Sequence, residues 1–225
     1  MSHPDRILWR PDPAFDSPMA RFAASAEARW SRDLGTWPKL HAWSITHRDE
    51  FWRTVWDECG IIGEPGSVTV KNADAMPGAR FFPDAQLNFA ENLLAHVGDD
   101  DDAALVFRSE TGDAWRMTWA QLRGDVARAQ QVFARMGVGP GDRVAAMMPN
   151  MPETIVAVLA AAGLGAVFSS CSPDFGVKGV LDRFGQIEPT LLIGCGAYAY
   201  GGKVHDTHAK LAEVAAGLPT LNGVL

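Results

Sequence analysis

The sequence predicts an α/β protein in two parts. A Trp-rich, mainly helical N-terminal cap covers residues 1–97, and a run of βα repeats with a largely parallel sheet, incomplete at its C-terminal end, covers 98–225. Three observations predict this. All eight tryptophans precede residue 120, and five lie between Trp9 and Trp52, so the two parts are built from different residues. From Ala103 onward, short apolar runs alternate with stretches of helical periodicity, the pattern of parallel strands joined by helices. The last residues, 223–225, read as the opening of another strand, so the sheet is expected to continue.

Taken in order, the first residues form an extended Pro-rich arm. Thr46 is expected to cap a helix, with Asp49 three residues on. Phe51, Trp52, Val55, Trp56 and Cys59 then recur at helical spacing, a packed core face, until Gly60 ends the run. A short helix follows over 87–96. Residues 104–108 read as a strand and 115–119 as a second. Thr118 and Gln121 form a capping box for a helix that places Leu122, Val126, Ala129, Phe133 and Met136 on one face and stops at Gly137. Residues 143–148 are a buried strand. Pro152 suits the first turn of the next helix, which turns Ile155, Val156 and Leu159 inward. Residues 166–170 form a strand, and Ser172-Pro173 opens a helix carrying Val177, Val180, Leu181, Phe184 and Ile187. A strand over 191–194 and a helix over 206–216 complete the series.

Composition narrows the function. A formal net charge of −7 argues against a nucleic-acid partner, which needs clustered Lys and Arg. The run Asp99, Asp100, Asp101, Asp102 reads as a solvated turn. The N-terminus places prolines and charges where a secretory signal needs an apolar core, and the most apolar piece, 155–167, is too short to span a bilayer. Cys59, Cys171 and Cys195 are widely spaced with no CxxC pair, and there is no Asn-x-Ser/Thr site. These features point to a reducing cytoplasm and no membrane partner.

Several motifs imitate chemistry. Gly137, Gly139 and Gly141 resemble half of a dinucleotide fingerprint but precede a strand, whereas a phosphate-binding turn follows one. The stretch AYAYGGK (197–203) resembles a P-loop ending, yet Ala197 stands at the first glycine and Val204 where a Ser or Thr must ligate magnesium. His205 and His208 lie three apart on an expected helix, but no third ligand completes a metal site. Cys171 follows a strand without an adjacent base, so a packed residue is expected there.

Residues 137–200, including MMPNMPETIVAVLAAAGLGAVFSSCSPDFG (147–176), together with FFPDAQLNFAENLL (81–94) and LHAWSITHRDEFWRTVWDECGI (40–61), carry a wider signal. In order and spacing they resemble the AMP-forming acyl-CoA synthetases, and within that adenylate-forming family the acetoacetate-activating branch. SSCSPDFG (169–176) stands where the acetate-activating branch has a loop of the Gly-Phe-Ser type. The resemblance implies the first half of an adenylate-forming domain behind its N-terminal cap. It also implies an intact ligase that uses ATP, Mg2+ and coenzyme A. The substrate carboxylate attacks the α-phosphate of ATP, pyrophosphate leaves, and the coenzyme A thiol then displaces AMP.

The family's Ser/Thr/Gly-rich phosphate loop ending in Pro-Lys does not occur in this chain, and its other adenylation residues lie further downstream. The resemblance therefore implies no catalytic residue and no metal ligand within 1–225, and a chain that is inactive alone. One element remains. A basic Arg-Gly-Gly-Lys motif that serves the 3′-phosphate of coenzyme A in the acetate branch corresponds to Tyr200, Gly201, Gly202 and Lys203. Lys203 keeps a point charge for phosphate, Tyr200 replaces the bidentate arginine and can stack on adenine, and the glycines permit close approach. An ordinary surface loop is the alternative reading of this turn. For the chain as a whole the alternatives are a ligase for another short acyl group and a non-catalytic half-domain that binds coenzyme A or protein. An open sheet edge is expected to favour self-association.

Overall fold

The computed structural model describes residues 16–95 and 98–225; the expected Pro-rich arm and His96 of the expected 87–96 helix lie outside them. The chain forms two compact units that part between Leu87 and Asn88.

In the first unit, α1 (Pro18–Trp30) starts at Ser17, whose hydroxyl accepts the Ala20 N–H at 3.1 Å while Pro18 fills the first turn. α2 (Trp37–Thr46) and α3 (Arg48–Glu58) follow with only His47 between them. Thr46 does not cap α3 as expected. A helix begun at Trp37-Pro38 already includes it, and its hydroxyl donates back to the Ala42 carbonyl at 2.8 Å. Ala26, Leu34, Leu40 and Trp43 make the core, with Phe22, Trp30 and Phe51 packed on it. Trp56 is buried as expected, but Trp52 is partly exposed against Phe81 and Cys59 lies at the surface. Four two-residue strands close the unit: β1 (Gly63–Glu64) pairs antiparallel with β4 (Gln86–Leu87), and β2 (Val70–Lys71) with β3 (Arg80–Phe81).

The second unit opens with α4 (Phe89–Leu94), capped by the Asn88 side chain, which accepts from Ala90 N at 2.9 Å and Glu91 N at 3.2 Å. Asn88 Nδ2 also donates to the Ala162 carbonyl and Ala90 is buried in the second unit's core, so α4 goes with the second unit, whereas the sequence reading groups it with the first. β5 (Ala103–Arg108) and β6 (Ala114–Thr118) form an antiparallel hairpin leading into α5 (Trp119–Arg135). The expected capping box is present: Gln121 N donates to Thr118 Oγ1 at 3.2 Å, and Thr118 N to Gln121 Oε1 at 2.9 Å. Then come β7 (Arg143–Met147), α6 (Pro152–Gly163), β8 (Val167–Cys171), α7 (Val177–Phe184), β9 (Leu191–Gly194), β10 (Ala197–Tyr200), β11 (Lys203–Asp206), α8 (His208–Ala216) and β12 (Gly223–Val224).

The main sheet has the order β12-β9-β7-β8 and is parallel throughout. Residues alternate across it, so Val144, Ala146, Leu191 and Ile193 face α5 and α6, while Ala145, Met147 and Leu192 face α7 and α8. A strand covered on both faces needs continuous apolar sequence, which explains RVAAM and LLIG. Each fully buried side chain such as Leu191, Leu192 or Phe184 contributes about 1.5–3 kcal/mol. Two expected helix starts move. Ser172 opens a tight turn, its hydroxyl donating to Asp174 Oδ2 at 2.8 Å, and α7 begins only after Gly176. Residues 203–206 pair with β10, so α8 starts at His208 rather than 206. Among the described residues, no helix is long and apolar enough to cross a membrane.

Candidate functional site

Met147 and Cys171 are register partners at the carboxyl ends of β7 and β8, so the segments after them emerge side by side. That edge is where open α/β sheets receive ligands, because connections diverge there and leave a crevice. Pro149, Asn150 and Met151 form one wall and Ser172, Pro173 and Asp174 the next. The β5–β6 turn and β10 complete a cleft of about 500 Å3.

Tyr200 lines this cleft, and Gly201 and Gly202 form the turn that pairs Tyr200 on β10 with Lys203 on β11. Gly201 and Gly202 have φ of +61° and +73°, the geometry of a primed two-residue hairpin turn, which side chains other than glycine resist. Tyr200 is 62% exposed and Lys203 is exposed. The Gly202 N–H donates to Glu110 Oε1 at 3.1 Å. Residues 197–203 thus form strand, turn and strand, with no helix N-terminus where a P-loop would need one. His205 and His208 do not share a helix: His205 lies on β11, stacked on Tyr198 with ring centroids 5.1 Å apart, and His208 opens α8 beside Asp206. Among the described residues, no group of three or more His, Cys, Asp or Glu is arranged to hold a metal ion.

Two carboxylates tie the hairpin down. Asp174 accepts from the Tyr198 hydroxyl and from Ser172 Oγ, and these bonds hold its carboxyl below the usual range. The same contact pushes the Tyr198 phenol up to about 12. Lys210 Nζ donates to the Pro173 carbonyl at 2.6 Å, steadying the loop from α8. Burial pushes the Cys171 thiol up, with Arg183 and Lys210 pulling weakly the other way, so it is a poor thiolate. The Cys195 thiol is likewise raised by burial. The cleft carries Arg108 against Glu110, Asp113 and Asp174, so its lining is acidic, and Lys203 stands exposed on β11 opposite Tyr200.

Glu110, Asp174 and Tyr198 were not legible as site residues in the sequence. The signal that existed was the Gly201-Gly202 pair after the aromatic run Ala197–Tyr200, a two-residue hairpin-turn signature. With the hairpin in place, the loops it touches follow from geometry.

A parallel sheet covered on both faces, with a cleft at the carboxyl ends of its strands, is the form of an α/β ligand-binding domain. More particularly, the chain belongs to the AMP-binding enzyme family, whose model matches residues 95–223; the model of the acetyl-coenzyme A synthetase N-terminus matches 37–93. The acetoacetyl-coenzyme A synthetase of Rhizobium meliloti is 50% identical over 221 residues, 96% of this chain and 34% of that protein. The acetoacetyl-CoA synthetase of Danio rerio is 39% identical over 98% of this chain and 33% of its own length. Among solved structures, acetoacetyl-CoA synthetase from Streptomyces lividans overlays with a TM-score of 0.87 at 40% identity, covering 97% of this chain and 34% of that one. The chain matches the N-terminal portion of these proteins and spans about a third of their length.

Proposed function

We propose that the chain supplies the N-terminal part of a cytoplasmic acid–thiol ligase that converts ATP, acetoacetate and coenzyme A to acetoacetyl-CoA, AMP and pyrophosphate. The observation that carries this reading is the match along nearly the whole chain to acetoacetyl-CoA synthetases, in fold as well as sequence. In this reading residues 1–97 are the cap and 98–225 begin the adenylate-forming domain. ATP, Mg2+ and acetoacetate are held by residues beyond 225, and the part played here is toward coenzyme A. Lys203 takes the 3′-phosphate as a point charge and Tyr200 offers a face to adenine. The acidic cleft repels phosphate, so phosphate belongs at the rim and the uncharged arm of the coenzyme in the cleft.

The test is binding of coenzyme A and its dephospho form to wild type and Lys203→Ala. Wild type is expected to prefer coenzyme A, and the variant to lose that preference. Equal discrimination in both would remove Lys203 from the site. The chain alone is expected to give no acetoacetate-dependent ATP–pyrophosphate exchange, and robust exchange would contradict the reading.

A second reading takes its support from the main sheet, where β8 and β12 are the end strands among the described residues and Val167 and Val224 are exposed on them. Open edges favour self-association, and a non-catalytic half-domain would use them for a protein partner. Concentration-dependent sedimentation distinguishes a self-associating chain from a monomer.

A further inference from the structure

We infer that Glu110 holds the place of the ligand's phosphate at the Tyr200–Lys203 turn, and so sets how strongly that turn prefers a phosphorylated ligand. The inference rests on the coenzyme-binding reading of the turn and concerns its specificity. A Cβ added to Gly201 or Gly202 would meet nothing within 4 Å, so the outer side of the turn is open to a ligand. The β10–β11 ladder closes with Tyr200 opposite Lys203, which leaves the Gly202 N–H outside it. That N–H is taken by Glu110 Oε1 at 3.1 Å, from a residue 92 positions away in the chain.

Glu110 is presented by a braced turn. Ser109 N donates to the Asp113 carbonyl at 2.8 Å, and the Ser109 and Thr111 hydroxyls donate to Asp113 Oδ2 at 3.2 and 2.6 Å. Asp113 is thereby engaged within its own turn, while Glu110 reaches across to the hairpin. The other cleft carboxylate, Asp174, is engaged by Tyr198 and Ser172. Among the described residues, Glu110 is thus the carboxylate bonded to the backbone of the proposed phosphate turn.

A carboxylate oxygen and a phosphate oxygen accept the same kind of N–H bond, and both are anionic. Both cannot use the Gly202 amide together, and a dianionic phosphate arriving there repels the carboxylate. Binding of a phosphorylated ligand is therefore an exchange of one anion for another. A ligand without the phosphate leaves Glu110 where it is. Glu110 touches no reacting group in this scheme; it occupies the Gly202 amide in the absence of phosphate and so weakens the hold on it.

The test uses the 225-residue chain, with coenzyme A and dephospho-coenzyme A titrated calorimetrically into wild type, Glu110→Gln and Glu110→Ala. Both variants are expected to bind coenzyme A roughly two- to fivefold more tightly, the size of a lost charged contact at an exposed site, with dephospho-coenzyme A unchanged. In 15N-labelled wild type, the Gly202 amide resonance is expected to shift on Glu110→Ala substitution and again on coenzyme A binding. An unchanged ratio of the two affinities in both variants, or a loss of coenzyme A affinity, overturns the inference and leaves the coenzyme reading standing. A Gly202 resonance identical in ligand-free wild type and Glu110→Ala overturns it by removing the contact itself. Failure of either ligand to bind any of the three proteins would end the coenzyme reading, and the inference with it.

Discussion

The hydroxyl of Tyr198 on β10 donates to the carboxylate of Asp174 in the turn after β8, and this bond joins the hairpin to the wall of the cleft. Tyr198 and Tyr200 are the two tyrosines of the chain, so each can be observed alone. In Tyr200→Phe, the phenolate absorbance of Tyr198 is predicted to rise with a midpoint near pH 12, because the Asp174 carboxylate favours the neutral phenol. Adding Asp174→Asn should bring the midpoint back toward 10. The phenol's share of stability is full below pH 10 and is lost as pH rises through about 12. A midpoint already near 10 with Asp174 present would show that the bond does not form in solution.

Glu50 on α3 joins α2 and the loop after α1. Arg32 donates to its two oxygens at 2.7 and 2.8 Å, and the Trp43 indole donates to Oε2 at 2.8 Å. The Arg32 bonds hold the Glu50 carboxyl below its usual range, with partial burial opposing them. A carboxyl whose value is lowered on folding stabilises the fold above its unfolded value, and that stabilisation fades as pH falls through the lowered one. Glu50→Gln is predicted to cost about 1–3 kcal/mol at pH 7 in urea unfolding, with a smaller difference from wild type at pH 3. A difference independent of pH would assign the loss to packing instead.

Thr118→Ala removes the side chain that caps α5 and is predicted to cost about 1 kcal/mol, whereas Thr118→Ser retains most of it. Chemical denaturation of the two variants checks this, and equal stability of Ala and Ser would remove the capping box from the account.

What the sequence made legible was local. The Thr118/Gln121 box, the apolar runs of β7 and β9 and the helical face Leu122, Val126, Phe133 are each set by residues a few positions apart. The misplaced starts at Thr46, Ser172 and Asp206 have a common cause. Hydroxyl and carboxylate residues serve turns and back-bonds as readily as helix caps, and neighbouring elements decide between these roles. Lys203, Val204, His205 and Asp206 carry no strong alternation, so the sequence alone does not separate the second arm of the 197–206 hairpin from the helix that follows it. Of the site, the Tyr200–Lys203 turn was visible as a motif. The Glu110 contact joins residues 92 apart and the Tyr198–Asp174 contact residues 24 apart, and no local pattern announces either.

The most direct measurement replaces the corresponding N-terminal third of the Rhizobium meliloti acetoacetyl-coenzyme A synthetase, to which the chain is 50% identical, with residues 1–225, and follows AMP release from ATP and coenzyme A with and without acetoacetate. The account predicts acetoacetate-dependent AMP release by the chimera and none by the 225-residue chain alone. A folded chimera that releases no AMP with acetoacetate, or a chain that does so unaided, would contradict it.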